Sequence, residues 1–295
     1  MGAVPLRRKA GALPMTANSL STTLQRGTLH ILLIVLSLIT LFPLLWMVTS
    51  AFTPNALIAQ KALRFWPEQM TFSNFQLAAD RYPIWWWLFN SVITSGTITL
   101  GKLIISLPAG YAFARMEFRG KHFLFWLVIA TMSFPTVLAI IPTYIAIVKI
   151  QAFDTYSAMI IPSIPYIGFY VFYFRQSFRS LPDEMFEAAR IDGCGIWKQF
   201  KDVAIPNVLP AIAALSVISF MGAWNIYLWG QLVLEDTGRK TLTTGIAMFA
   251  DVDGAETPWG PLMATSLLSV LPVLGMFLLA QRYIVEAFSA GTGEK

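Results

Sequence analysis

Six stretches of this chain are apolar enough and long enough to cross a lipid bilayer, and nothing else in the sequence constrains the fold as much. They cover residues 29–52, 85–114, 123–148, 157–174, 211–233 and 259–284. A helix rising about 1.5 Å per residue needs about 20 residues to cross a hydrocarbon core about 30 Å thick. Backbone polar groups find no water there, so each such segment must satisfy them internally, as a helix does. The chain is 56% hydrophobic and 13% charged, about half the charged share of a soluble domain. The fold class is therefore all-α: a polytopic membrane protein with six transmembrane helices across residues 28–288 and short tails at 1–27 and 289–295.

The first apolar run is too long for a signal peptide, and no small-residue cleavage site follows it. Pro5, Gly11 and Pro14 break any helix in the tail before it, which reads as disordered. Six spans put both termini on one side. That side holds most of the 21 lysines and arginines, including Arg7, Arg8, Arg115, Arg119, Arg190 and Lys201. The basic side is expected to be cytoplasmic, at the inner membrane of a bacterial cell. Trp85, Trp86 and Trp87 mark a membrane–water interface. Span 2 is rich in small and hydroxylated residues from Asn90 to Gly101, which allow close helix contact. Pro135, Pro142, Pro162 and Pro165 make spans 3 and 4 irregular. Lys102 lies inside span 2, where a charge is either functional or faces a hydrated cavity. One cysteine, Cys194, and two separated histidines, His30 and His122, offer no metal centre and no disulfide.

The densest set of charges sits between spans 4 and 5, in the loop 178–206. Burying its carboxylates in lipid would be costly, so this loop lies at the membrane surface. Pro182 suits a helix start, and Asp183, Glu184 and Glu187 favour a helix N-terminus. Gly193 and Gly195 stop that helix, and 196–203 can begin another. Taken alone, this is a short amphipathic surface helix with small residues on one side, able to enter a groove on a soluble partner.

The spacing Glu187-Ala188-Ala189, Asp192-Gly193, then Val203-Ala204-Ile205-Pro206 resembles the EAA loop of binding-protein-dependent ABC transporter permeases. Val203 and Ile205 are conservative departures from that pattern, and Cys194 stands where carbohydrate-type members usually carry Ala. Asn90-Ser91 and the run from Trp224 through Asn225 and Tyr227 to Trp229 are similar to the carbohydrate-uptake branch. The overall pattern resembles the second permease subunit of maltose, lactose and glycerol-3-phosphate importers.

The resemblance implies a heterodimer with a homologous permease, two ATP-binding subunits and an extracytoplasmic solute-binding protein, with no nucleic acid among the partners. Glu187, Ala188, Ala189, Asp192 and Gly193 would form the ATPase-coupling helix. The chain has no G-x-x-x-x-G-K-[ST] sequence, so ATP and magnesium would be bound by the partner ATPase and this chain would not be an enzyme. The solute would be a carbohydrate or, alternatively, glycerol-3-phosphate. Trp224, Asn225, Tyr227 and Lys102 are the candidates for the substrate path. An ion-coupled secondary transporter is a more distant alternative, since the six spans hold no Asp or Glu.

Overall fold

The computed structural model describes residues 18–58, 69–250 and 257–289, and every regular element among them is helical. In chain order the main helices are α1 (Asn18–Ala51), α2 (Ser73–Arg81) and α3 (Ile84–Arg115). Two bent pairs follow: α4 (Lys121–Met132) with α5 (Thr136–Lys149), and α6 (Tyr156–Ser163) with α7 (Gly168–Arg179). Next come α8 (Asp183–Ile191), α9 (Ile196–Asn207), α10 (Leu209–Trp224), α11 (Leu228–Val233), α12 (Leu242–Ile246) and α13 (Trp259–Ser289). By length and composition α1, α3 and α13 can each cross a membrane. With α9 and α10 as a third bent pair, turning by 77°, counting each bent pair as one span brings the number to as many as six.

The breaks follow from the chemistry of individual residues. Between α4 and α5 the chain turns by 90°. Pro135 has no N–H to donate and pushes Phe134 away from helical backbone angles. Pro142 does not interrupt α5, because it falls in the first turn of the α-helical part, Ile140–Lys149, where few N–H groups have helical partners. The 48° bend between α6 and α7 lies around Pro165. Span 5, expected to run over 211–233, is instead two pieces. Its first helix ends at Trp224, and α11 restarts at Leu228. Asn225 caps the first piece and turns its amide back to Met221 O at 2.9 Å, a local bond that competes with helix continuation. At the N-terminus, α1 already begins at Asn18, within the stretch expected to be tail. Residues 1–17 and 290–295, which hold the rest of the expected tails, lie outside the described residues.

Helix α3 is the centre of the bundle. It packs along α7 and α10, while α13 packs on α10 and α1. A Cβ on Gly110 would come within 2.7 Å of Phe174 Cβ, so only glycine lets α3 and α7 approach this closely. Aromatic clusters close both ends of the bundle. Tyr111, Phe178, Phe186 and Phe200 fill one end, and Trp87, Phe220, Trp224 and Phe249 fill the other.

Trp85 and Trp86 are exposed, as an interfacial belt requires, but Trp87 is fully buried. Its indole N–H donates to Thr237 O at 2.6 Å. Beside it, Asn90 engages both ends of its amide. Nδ2 donates to Gly238 O (2.8 Å) and Lys240 O (2.9 Å), and the Tyr156 hydroxyl donates to Oδ1 (2.8 Å). Ser91 Oγ accepts from Leu242 N at 2.7 Å. Asn90 and Ser91 thus lace the 237–242 segment onto α3. Replacing Asn90 with Ala strands these buried partners, at a cost of about 1–3 kcal/mol. Thermal unfolding in detergent should show a clear drop for Asn90→Ala and little change for Asn225→Ala, whose amide bonds only within its own helix. Equal shifts would contradict this assignment.

Candidate functional site

Two regions concentrate the chemistry: the surface helix α8 with its turn, and a cavity enclosed by the helix breaks. Pro182 is extended and leads directly into α8. Asp183 and Glu184 occupy the first turn and Arg190 the last, each matching the sign of the helix dipole there. Phe186 and Ala189 form the buried face, while Glu187, Ala188 and Asp192 are exposed. The two alanines therefore part company: Ala188 faces outward, and Ala189 packs against the chain itself.

The end of α8 closes in two hydrogen bonds. Gly193 N donates to Arg190 O at 3.0 Å and Cys194 N donates to Ala189 O at 2.8 Å. This pairing needs a left-handed residue between them, and Gly193 has φ +76°. Gln199, itself buried, donates to Cys194 O at 2.8 Å and ties the turn to α9. Outside this frame lie Ile191, 87% exposed, and Trp197, 70% exposed, together with Ile196. Large apolar side chains beside charged ones on a surface turn are the composition of a protein-docking face.

Arg115, the last residue of α3, holds α8 to the bundle. Its Nε donates to Phe178 O at 3.0 Å, Nη2 donates to Leu181 O, and Nη1 pairs with Asp183. The guanidinium also lies over the Phe186 ring, 4.3 Å from its centroid. Asp183 is 81% exposed, so the ion pair itself contributes at most about 1 kcal/mol. The carbonyl bonds and the ring contact are shielded and matter more. Sequence reasoning counted Arg115 only as a loop charge; its place at the end of a span, directly before a turn, was the available signal.

The cavity has a volume of about 400 Å3. Its walls come from the middle of α3 (Lys102) and from the three interruptions: Thr136 beyond the α4–α5 break, Tyr166 within the α6–α7 break, and Tyr227 just before α11. Lys102 and Tyr227, both proposed from sequence for a substrate path, meet here. Trp224 does not join them. It is buried beside Phe220 in the core, with its indole N–H donating to Ser269 Oγ at 3.3 Å. Asn225 is exposed and serves to end its helix. Trp229, not anticipated, lines the cavity and braces α6 through a 3.0 Å bond from its indole to Ala158 O.

If Arg115 is the joint described, Arg115→Gln should leave the bundle folded but loosen α8. Hydrogen exchange over 183–193 should accelerate by roughly tenfold or more while α3 stays protected. Unchanged protection of α8 would remove Arg115 from this role.

The model of the family described as binding-protein-dependent transport system inner membrane component matches residues 106–287. The sn-glycerol-3-phosphate transport system permease protein UgpE of Yersinia enterocolitica is 33% identical over 263 residues, covering 87% of this chain and 93% of that protein. The arabinooligosaccharides transport system permease protein AraQ of Halalkalibacterium halodurans is 32% identical over 263 residues, covering 87% and 92%. In fold, the chain matches a crystal structure of a bacterial ABC transporter involved in the import of the acidic polysaccharide alginate. The TM-score is 0.81 at 20% identity, over 92% of this chain and 99% of that one. This chain belongs to the family of binding-protein-dependent transport system inner membrane components, the permease subunits of ABC importers.

Proposed function

We propose that this subunit pairs with a homologous permease, two ATP-binding subunits and an extracytoplasmic solute-binding protein, and moves a carbohydrate by alternating access. The observation that carries the coupling half of this reading is α8. It is short, anchored at Arg115, closed at Gly193, and presents Glu187, Ala188 and Ile191 outward. Glu187 would meet a basic group on the ATPase, and Ala188 would allow close approach. Asp192, exposed at the helix end, and Ala189, packed beneath, would keep the helix in shape. This end of the molecule, with both termini, would face the cytoplasm, following the excess of Lys and Arg on that side.

ATP and magnesium would be held by the ATPase subunits. The stretch from Gly96 to Leu103 has the glycine and lysine spacing of a phosphate-cradling loop, but Leu103 stands in place of the metal-binding hydroxyl. That whole stretch is also helix within α3 rather than a loop. Hydroxyl and aromatic groups at Tyr166, Tyr227 and Trp229 suit a polyhydroxylated solute. Similarity to AraQ, named for arabinooligosaccharide transport, supports a carbohydrate. A glycerol phosphate is the second reading, favoured by the similarity to UgpE.

An L-residue forced into left-handed backbone at position 193 costs about 1–2 kcal/mol and remodels the turn. Gly193→Val, a β-branched residue for which this backbone is a genuine outlier, should therefore insert into the membrane and assemble, yet lose uptake and solute-stimulated ATP hydrolysis. Gly193→Asn, a residue that tolerates this region, should retain more of both. Wild-type transport by the Val variant with the ATPase bound would show that the turn is not part of coupling.

A further inference from the structure

Among the described residues, Lys102 supplies the only charge on the cavity wall. Its ammonium lies 5.4 Å from the centre of the Tyr170 ring. Among the described residues it has no carboxylate partner, and no Asp or Glu occurs anywhere in the six spans. A ring face offsets only part of what a cation loses on leaving water. The rest of the wall offers hydroxyls rather than anions: Thr136, Thr143, Ser163, Tyr166 and Tyr227. The wall thus carries one cation without a carboxylate partner among the described residues, and several groups that bond to alcohols.

We propose that Lys102 is the counter-charge for an anionic group on the transported solute, a phosphate or a carboxylate, so that the solute is a small acidic or phosphorylated polyol. This rests on the importer reading above and deepens it. The geometry favours a ligand over a merely structural cation. Three helix interruptions converge on this one cavity, the arrangement by which transporters expose a solute site within a membrane. A volume of about 400 Å3 falls in the range of small-molecule sites. Beside Gly222 the wall is open, since a Cβ there would meet nothing within 4 Å. A lysine holds an anion as a point charge without the bidentate clamp of an arginine, which suits a site that must also release its cargo.

The test uses the complete transporter, with its partner permease, ATPase and binding protein, in proteoliposomes. Uptake is measured for sn-glycerol-3-phosphate and glucuronate, and for glycerol and glucose as their uncharged counterparts. One anion should be taken up in preference to its neutral counterpart, and which anion it is separates phosphate from carboxylate. Lys102→Met should raise the concentration of that anion needed for half-maximal uptake by roughly tenfold or more, with the complex still assembled. Lys102→Gln should behave likewise, and Lys102→Arg should recover most of the loss; agreement between Met and Gln separates lost charge from altered packing. Preference for the neutral solutes, or an unchanged half-maximal concentration in both uncharged variants, would overturn the proposal while leaving the importer reading intact. Uptake that continues without ATP would overturn the importer reading itself.

Discussion

Backbone hydrogen bonding in a medium without water governs this structure. An interrupted helix in lipid leaves polar groups stranded, so interruptions survive only where protein or a hydrated cavity surrounds them. Here the breaks around Pro135, Pro165 and Asn225 are not scattered. They face one another across a single space whose fourth wall is the unbroken helix Ile84–Arg115. The cavity is in that sense a consequence of the breaks, and the breaks are tolerable because of the cavity.

That unbroken helix also links the two regions of chemistry. Lys102 projects to the cavity near its middle, and Arg115 grips the Asp183–Ile191 helix at its end. Between them, Gly110 draws it tight against the helix Gly168–Arg179, whose last turn ends just before the surface helix Asp183–Ile191. A displacement of the loop thus has a short, stiff, well-packed route to the cavity wall. At the opposite end, Asn90 and Ser91 fasten the segment around residues 237–242 to the same helix, so one element carries contacts at both ends and the middle.

Much of this was legible in the residues. Apolar run length set the all-α membrane architecture, and the spacing of Glu187, Gly193 and Pro206 singled out the surface helix and turn proposed for coupling. Gly193 was read as a stop and does take left-handed backbone. What stayed hidden depended on direction rather than composition. Three consecutive tryptophans look alike in sequence, yet helical geometry sends Trp87 inward and its neighbours outward. Trp224 and Tyr227 stand three apart, but the chain leaves the helix between them, placing one in the core and the other on the cavity. Asn225 carried a visible signal for that break, a side chain suited to bonding its own backbone, but it was read as a substrate contact. Arg115 stood at a telling place, the end of a span directly before a turn, but its partners, Phe178 O and Leu181 O, lie more than sixty positions away and are backbone atoms, which leave no mark in a sequence.

If the break-lined cavity is the solute path, ATP must change the side on which it opens. The most direct measurement places a cysteine at Gly222, where a side chain meets nothing within 4 Å, in a Cys194→Ser background. Its reaction with a membrane-impermeant thiol reagent is then followed from each side of the membrane, in the assembled complex, without nucleotide and with ATP trapped. The accessible side should reverse between the two states. Labelling from the same side in both, or from neither, would contradict it.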